Sequence, residues 1–380
     1  MKISKKDIEA VLSRAIVVAR KGAIKEGPMV VIGICSGKMS VRSAFPQQAG
    51  VSMAGIKIDK SDDAEFIVDG DRLLGVLKKI PTGDFDMKVG MSDIVIKSGR
   101  LRYKIPKVTG VEALDVRKPG KKTFRIMCDD FDKKLKLMIP STDNSNMFGP
   151  YEGVYMKGEG SSISMAASDR KNIVRSKMEI MDSDGKGFVA IVPKDLADFI
   201  QIFDNEKFLD VEVDGNVMAV GQEGTYVWLS LLSGNFINLT EENIRTNLKK
   251  NGDKSLTKFE APRQELLDIL SRMEVVADRE NPRLKLSLGS NTLEISCTSK
   301  SGSCDDGCSV LNKEKRVMFM NLYYLRRVLR PLTSDKVELE FFAESSILFV
   351  KAAKEDFGAF CAGMAPDPKV EPTPASKKEA

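Results

Sequence analysis

The chain contains no histidine among its 380 residues, and it has only six cysteines. The absence of histidine excludes catalysis in which a serine or cysteine nucleophile is activated by an imidazole base. It also excludes metal sites with histidine ligands. Six cysteines are too few for a disulfide framework in a chain of this length. Four of them (Cys35, Cys128, Cys297 and Cys361) stand in apolar or alternating segments, which is typical of small buried residues.

Long apolar runs are also absent from the sequence. No segment approaches the roughly 18 consecutive apolar residues of a membrane helix. The basic N-terminal segment, residues 1–22, spaces its apolar residues as on an amphipathic helix and interrupts them with charges. This pattern differs from a secretory signal, so we predict a cytoplasmic protein with no membrane partner.

The composition is that of an ordinary globular protein, with 42% hydrophobic and 30% charged residues. At roughly 100–200 residues per domain, the length predicts two to four domains. The formal net charge is +5. This mildly basic balance is compatible with a polyanionic partner.

One layout of helix, strand and hairpin recurs three times, at residues 68–89, 192–213 and 320–341. In the first copy Leu73, Val76, Leu77 and Ile80 follow the i, i+3, i+4, i+7 spacing of one apolar helix stripe. Each copy then alternates apolar and polar residues, which indicates a half-buried strand, and a hairpin follows.

A second helix precedes each copy, and strand pairs around a glycine turn follow it. The chain therefore reads as six half-units of helix and strands. Residues 106–123 and 245–257 are rich in glycine, proline or charge and are interpreted as connectors. The sequence predicts an α+β fold of three repeated domains, each with two helices packed on antiparallel sheets. We place them at 1–118, 119–252 and 253–366, followed by a disordered Pro-rich tail at 367–380.

Basic residues recur on the polar faces of five of the six predicted helices; the fourth helix, with Asp195 and Asp198, is the exception. On any single helix, basic residues on the polar face are typical of a solvated surface. Their recurrence on several helices favours a common surface that contacts phosphates without reading sequence. The residues are Lys5, Lys6, Arg14, Arg20, Lys21 and Lys25 at the first helix, Arg72, Lys78 and Lys79 at the second, Lys133, Lys134 and Lys136 at the third, Arg263 and Arg272 at the fifth, and Arg326, Arg327 and Arg330 at the sixth.

Several short motifs resemble sites of chemistry but only weakly. Cys304, Cys308 and nearby Cys297 offer three thiolates for a metal, but there is neither a histidine nor a second cysteine pair. Residues 36–40 share only Gly-Lys with a phosphate-binding loop. Residues 182–187 lack the glutamate that a calcium loop needs at its twelfth position. We predict no metal site, no cofactor and no catalytic residues.

The run FIVDGDRLLGVLKKIP, with the following Ile96–Arg100 stretch and RYKI, resembles the first domain of the bacterial beta sliding clamp, the processivity subunit of DNA polymerase III. The segment MAASDRKNIVRSKMEI resembles that family's ATDGHRL stretch in the second domain. The C-terminal half is similar to the third domain. The resemblance covers about residues 1–366.

The resemblance implies the DNA-clamp fold and a non-catalytic function. In that family, two chains join head to tail in a ring of six domains with the helices inside. The ring encircles double-stranded DNA without reading its sequence and tethers the replicative DNA polymerase, and a clamp-loader ATPase opens and closes it. Family members are usually acidic, so the net charge of +5 points to a divergent or phage-encoded member.

The resemblance also implies two interfaces, both carried over from matching positions. A pocket for partner peptides matches Tyr151, Ser168, Arg170, Asn172, Ile173, Ile237, Ser346, Phe360, Ala362 and Met364. The dimer interface matches Arg72, Val76, Ile80, Arg100, Tyr103 and Ile105 on domain one, and Val275, Val276, Asp305 and Asp306 on domain three. Lys21 matches a DNA-contacting position. The chain departs from the family's Gly-His-Arg-Leu motif, where it has Arg170-Lys171-Asn172-Ile173.

Two alternatives remain beside the clamp hypothesis. The chain could form a ring-shaped interaction scaffold that does not encircle DNA, in which case reversing the charge of the helix faces would leave its function intact. A hydrolase or metal enzyme is the third hypothesis, and the missing histidines and nucleophile motif count against it.

Overall fold

The computed structural model describes residues 1–21, 27–45, 49–58, 63–81, 83–110, 120–145, 149–236, 241–250, 257–312, 314–342 and 346–365. Among the predicted site residues, Lys25 and Ile237 lie outside these ranges, as does the predicted tail. Lys21 ends a helix, and its side chain is not described.

The elements follow one order three times: strand, helix, four strands, helix, three strands. The first block contains β1 (Lys2–Ser4), α1 (Lys5–Lys21), β2 (Met29–Cys35), β3 (Lys38–Phe45), β4 (Ala49–Lys57), β5 (Ala64–Asp69), α2 (Gly70–Lys79), β6 (Asp84–Val89), β7 (Asp93–Ser98) and β8 (Leu101–Pro106). The second contains β9 (Phe124–Met127), α3 (Cys128–Met138), β10 (Gly153–Glu159), β11 (Ser162–Ser168), β12 (Asn172–Glu179), β13 (Phe188–Pro193), α4 (Leu196–Ile200), β14 (Phe208–Asp214), β15 (Val217–Gln222) and β16 (Thr225–Ser230). Helix α5 (Glu241–Lys250) follows.

The third block repeats the order after α5. It contains β17 (Thr257–Pro262), α6 (Arg263–Glu274), β18 (Arg283–Leu288), β19 (Thr292–Ser299), β20 (Gly302–Ser309), β21 (Arg316–Asn321), α7 (Leu322–Leu329), β22 (Lys336–Phe342), β23 (Ile347–Ala352) and β24 (Phe357–Ala362). The α+β prediction is confirmed, and so is the predicted recurrence of two helices with antiparallel strands.

The chain divides into two compact units. Unit 1 contains residues 1–136, 152–164 and 178–235. It holds an eight-stranded antiparallel sheet in the order β5-β2-β3-β4-β16-β15-β14-β9, and a four-stranded sheet in the order β1-β6-β7-β8. Strands β10 and β13 pair with each other in the same unit. Helix α1 packs on β3 and β4 of the larger sheet and on α2.

Unit 2 contains residues 137–151, 165–177 and 236–380. Its larger sheet has the order β12-β24-β23-β22-β17, and its smaller sheet has the order β20-β19-β18-β21. Helices α6 and α7 pack against each other, and α6 also contacts β20. None of the described helices in either unit has the length and apolar character required to cross a bilayer.

Local signals explain why α2 and α7 form where the periodicity predicts them. The Asp69 carboxylate accepts the Arg72 N–H at 3.0 Å and caps α2. The first residue of this helix is a glycine, Gly70. A larger residue would not fit there, because its Cβ would lie 2.9 Å from the Ile16 side chain and 3.0 Å from the Pro28 carbonyl oxygen. Asn321 caps α7 in the same way, by accepting the Tyr323 N–H at 2.9 Å.

The structure corrects the prediction that residues 245–257 form a connector, because residues 245–250 belong to helix α5. Ile244 and Leu248 lie four residues apart on one helix face. They are buried in a cluster with Phe342, Phe349 and Phe360 of the larger sheet. Burial against this distant apolar surface stabilises a helix whose own sequence is mostly polar.

Candidate nucleic-acid interface and peptide pocket

Two helices of unit 1 present exposed basic side chains. Lys6 on α1 and Lys78 and Lys79 on α2 are exposed and have no ion-pair partner among the described residues. Lys78 and Lys79 also form the last turn of α2, where positive charge is favourable. Two other predicted residues are already bound: the Lys5 ammonium donates to the Ile80 carbonyl at 2.6 Å, and Arg20 pairs with Asp71 at 2.6 Å.

Arg14, also on α1, faces mixed charge. It lines a small cavity of about 150 Å³ together with Asp204, Lys207 and Glu223. Lys207 pairs with Glu223 at 2.9 Å. This part of unit 1 is therefore less attractive to phosphate than the exposed end of α2.

Helix α3 does not form the basic surface that the sequence predicts. Lys133 pairs with Asp129, and Lys136 pairs with Asp132 at 2.5 Å, each four residues apart. The hydrogen bond and charge of Asp129 raise the pKa of Lys133 above its usual value. Because Lys133 and Lys136 each have a carboxylate beside them, these two lysines leave little positive charge for a polyanion.

The strongest concentration of arginine lies on α7 in unit 2. Arg326, Arg327 and Arg330 surround an open groove of about 630 Å³ that is also lined by Tyr323, Pro140 and Pro331. Arg326 pairs with Glu274, and Arg327 pairs with Asp169. Arg330 is exposed, and no described residue pairs with it. The sequence predicts the three arginines but not the other lining residues. Pro140 in particular comes from a segment far away along the chain, so its place in the groove depends on the fold.

Two predicted basic residues of α6 serve the fold instead. Arg263 donates to the Ser334 carbonyl at 3.0 Å and to the Leu329 carbonyl at 3.4 Å, so it caps the end of α7. Arg272 donates to Asp306 at 2.5 Å. We therefore correct the assignment of Arg263 to a DNA-facing surface: its guanidinium is used within unit 2.

The turn after α7, beside the arginine groove, is held by one carboxylate. Glu355 accepts the backbone N–H groups of Thr333 and Ser334, both at 2.7 Å, and the Thr333 hydroxyl at 2.8 Å. Burial on its own would raise the pKa of Glu355. The hydrogen bonds from Ser334 and Thr333 outweigh burial and hold the pKa below the ordinary value of 4.5.

The lowered pKa of Glu355 predicts a pH-dependent contribution to stability. This contribution is fully present above the unfolded-state pKa of about 4.5 and is lost as the pH falls through the lower folded-state value. Glu355→Gln is expected to reduce the free energy of unfolding by about 1–2 kcal/mol at pH 7, and by much less at pH 3. Urea unfolding at both pH values measures the difference. An equal loss at both would show that the charge of Glu355 contributes nothing.

The residues predicted for the peptide pocket that the structure describes all lie in unit 2. Tyr151, Ile173, Ser346, Ala362 and Met364 are partly exposed. Arg170 is exposed, whereas Ser168, Asn172 and Phe360 are buried. We therefore correct these last three from lining residues to supporting residues, because their side chains are enclosed by the unit.

A rigid turn positions Arg170. The residue has a positive φ of 67°, and its N–H donates to the Ser168 hydroxyl at 2.9 Å. Its Nε lies 3.4 Å from Oδ2 of Asp143. Burial would raise the pKa of Asp143, but hydrogen bonds from Ser145 and the charge of Arg170 lower it overall. The carboxylate therefore stays ionised and holds the guanidinium.

Close backbone packing positions Ser346 and Met364 on the same surface. The Gly363 N–H donates to the Ser346 carbonyl at 2.5 Å, and the Met364 N–H donates to the Phe319 carbonyl at 2.7 Å. A Cβ on Gly363 would lie only 2.2 Å from the Ser346 oxygen, so only glycine fits between these strands.

Phe360 and Ile173 are part of the apolar cluster under α5. The Phe360 ring lies 4.4 Å from the ring of Phe349, and Ile173 packs against the same cluster. Arg245 of α5 covers this cluster: its guanidinium lies 4.7 Å from the Phe349 ring centroid. Both terminal nitrogens donate to the fully buried Glu340, each at 2.8 Å. Helix α5 is thus fixed beside the predicted pocket.

The predicted dimer interface falls at the edges of the two smaller sheets. In unit 1, edge strand β8 has exposed Arg102 and Lys104, Tyr103 is partly exposed, and Arg72 and Arg100 are exposed nearby. Val76 is partly exposed. Ile80 and Ile105 are only 2% exposed, so we correct these two from contact residues to core residues.

In unit 2, edge strand β20 bears Asp305, which is exposed, and Asp306, which is held by Arg272. Val275 at the end of α6 is 82% exposed, and Val276 is partly exposed. Helix α6 packs on β20, so this exposed valine and the carboxylates of the strand belong to one region that a partner can cover.

The extended conformation of β20 argues against the cysteine metal site that the sequence raised. At about 3.3 Å per residue, Cys304 and Cys308 lie roughly 13 Å apart, too far for one metal with Zn–S bonds of about 2.3 Å. No group of three or more metal-binding side chains occurs among the described residues.

Comparison with known proteins bears on these surfaces. Residues 122–239 match the family described as DNA polymerase III beta subunit, N-terminal domain. The beta sliding clamp of Rickettsia felis is 20% identical over 359 residues, which cover 84% of this chain and 92% of that protein. Over most of its length the chain is similar in sequence to beta sliding clamps.

Solved structures are similar in fold over nearly the whole chain. The DNA polymerase III subunit beta of Pseudomonas aeruginosa superimposes with a TM-score of 0.87 at 16% identity, covering 96% of this chain and 100% of that one. The beta subunit from Thermotoga maritima gives a TM-score of 0.82 at 16% identity, covering 96% and 99%. The family match at residues 122–239 falls on the segment from β9 to β16.

Proposed function

We propose that this protein is a DNA sliding clamp: two copies close into a ring around double-stranded DNA and tether a DNA polymerase for processive synthesis. The ring acts as a tether without chemistry of its own, and a clamp-loader ATPase opens it. The observation that carries the proposal is the end-to-end match of the chain to solved beta subunits. The threefold element order supports three domains per copy, at 1–118, 119–252 and 253–366.

A ring explains why the basic surfaces can be modest. A protein that is topologically linked to DNA needs only weak contacts with phosphates, and these contacts must not depend on sequence if the ring is to slide. Lys78 and Lys79 on α2 and the arginine groove of α7 provide such charge. We propose that these residues, with Lys6, form the main DNA-facing set.

Charge complementarity supports a head-to-tail arrangement of two copies. The β8 edge of one copy presents exposed Arg102, beside Lys104 in its pair with Asp93, and the β20 edge presents exposed Asp305, beside Asp306 in its pair with Arg272. Pairing a positive edge with a negative edge aligns strands in one register and disfavours pairing of identical edges. Val275 supplies exposed apolar surface beside the acidic edge.

The partly exposed surface formed by Ile173, Ser346, Ala362 and Met364, with Arg170 at its side, is proposed as the peptide pocket. Apolar side chains beside one fixed guanidinium suit a short peptide with apolar anchors and a carboxylate or carbonyl group. A DNA polymerase would bind through such a peptide.

Electron microscopy of the pure protein, with its mass in solution, tests the ring. Retention on nicked circular DNA in the presence of a clamp-loader ATPase and ATP, followed by release on linearising that DNA, tests the topological link. A two-chain ring that is retained only on circles is expected. A ring that is not retained would favour the scaffold alternative, and a monomer at every concentration would contradict the proposed interface.

Val275→Glu is expected to weaken self-association, because a new negative charge would be buried in the proposed interface, at the end of the helix that packs on the acidic strand β20. We expect the dissociation constant of the dimer to rise about tenfold or more. Sedimentation equilibrium over a concentration series measures it. The matched control is Leu311→Glu, which also replaces an exposed apolar residue of unit 2, at 89% exposure. Equal effects of both substitutions would contradict the assignment of Val275.

A further inference from the structure

Two cysteines lie directly opposite each other on neighbouring strands of the smaller sheet in unit 2. Strands β19 and β20 pair antiparallel without a register shift, and Cys297 is the partner of Cys304. Directly opposed residues in such a pair have Cα atoms about 4.5 or 5.5 Å apart. Both spacings fall within the roughly 4.4–6.8 Å that a disulfide bond accepts.

The two side chains also share one face of the sheet. Opposed residues project to the same side, and here the face is the buried one that also carries Leu293 and Cys308. Burial raises the pKa of the Cys297 thiol, and the nearby Cys304 raises it further, so the two sulfurs interact. Cys297 is 2% exposed, while Cys304, on the edge strand, is partly exposed.

The remaining cysteines are placed differently. Cys308 is four residues further along β20, opposite Leu293, and its thiol is buried. Cys128 and Cys361 are buried in other elements, and Cys35 is exposed at the end of β2. Among the six cysteines, Cys297 and Cys304 are thus the pair that the strand register places directly opposite each other.

We propose that Cys297 and Cys304 form a reversible cross-strand disulfide when the protein meets a small-molecule disulfide. The partly exposed Cys304 thiolate attacks one sulfur of the reagent, forms a mixed disulfide and releases one thiolate. The Cys297 thiolate then attacks the Cys304 sulfur and releases the second. The two cysteines lose two electrons, the reagent gains them, and the two cysteine protons end on the two released thiols.

The bond would fasten edge strand β20 to the interior strand β19. Strand β20 lies at the margin of its sheet, where pairing opens most easily. A covalent link at Cys304 holds the adjacent Asp305 and Asp306 against the sheet. This inference rests on the register of two strands and does not depend on the proposed clamp function.

Hydroxyethyl disulfide is the probe, applied to the full chain with Cys35→Ser to remove the exposed thiol. The intact oxidised protein is expected to be 2 Da lighter than the reduced protein and to have two fewer free thiols. After free thiols are blocked and the protein is digested, mass spectrometry should find a peptide that links Cys297 to Cys304. Dithiothreitol should restore both thiols. A stable adduct of hydroxyethyl thiol on Cys304 with Cys297 still free would overturn the proposal.

Variants distinguish this pair from its neighbours. Cys304→Ser should abolish the link, and Cys308→Ser, a change on the same strand and face, should leave it unaffected. Cys297→Ser places a hydroxyl in the buried core, so Cys297→Ala serves beside it as the second variant. Hydrogen exchange at Asp305 and Asp306 should slow in the oxidised protein; unchanged exchange together with no linked peptide would overturn the inference.

Discussion

Replacing Arg245 by methionine is expected to lower the free energy of unfolding of unit 2 by about 3 kcal/mol. The substitution keeps an apolar stem over the Phe342 and Phe349 rings but removes two hydrogen bonds to Glu340. Glu340 has no exposed surface, so its carboxylate would stay buried without its main partner. Lys258 lies 3.8 Å from the same carboxylate, which places the expected loss at the low end of the range for broken buried pairs.

A double replacement separates the pair from the packing. Arg245→Met with Glu340→Leu removes both charges and should recover much of the lost stability, because no uncompensated charge then remains. Urea unfolding followed by circular dichroism measures each variant. Trp228, the single tryptophan, lies in unit 1 and reports on that unit separately. Arg279→Met, at an exposed arginine, is the matched control and should change stability little.

The same variant probes the surface beside α5. Ile244 and Leu248 cover Phe360, and Arg245 holds the helix to Glu340. If α5 loosens, Ile173 and Phe360 lose apolar cover next to the proposed peptide pocket. If the double variant is no more stable than Arg245→Met alone, Arg245 acts through the packing of its stem on the phenylalanines and not through its charge.

Helices α2 and α7 could be predicted from the sequence because their signals are local. Each has an apolar stripe of period 3.6 and an Asp or Asn cap within one turn. Helix α5 could not, because its two buried residues are stabilised by phenylalanines about 100 positions further along the chain. Such a partner surface exists only after the sheet has formed.

The candidate surfaces show the same division. The sequence gives the number of basic residues on each helix but not the groups that bind them. Asp169 pairs with Arg327, and the carbonyls of Leu329 and Ser334 accept hydrogen bonds from Arg263. In each case the partner lies more than 60 residues away along the chain. Burial of Ile105 and Phe360 also depends on neighbouring strands, so the carried-over interface positions include core residues.

Reversing three exposed charges, in the combined variant Lys78→Glu, Lys79→Glu and Arg330→Glu, is expected to weaken DNA binding about 100-fold or more near physiological salt. These residues are exposed and form no ion pair among the described residues, so their charge is available to phosphates. Each lost phosphate contact should also lower the salt slope of log K against log salt by about 1. Fluorescence anisotropy with short duplex DNA over a salt series measures both quantities.

The sheets supply a control of equal charge. Lys88, Lys97 and Lys285 are exposed on strands β6, β7 and β18, and each alternates with buried neighbours, so they project from the face opposite the core. Changing these three to glutamate alters the net charge by the same amount. If DNA contacts the helix faces, this control should bind far more tightly than the helix variant. Equal weakening would mean that net charge alone attracts DNA, and retention on circular DNA would then have to come from ring closure without any dedicated basic surface.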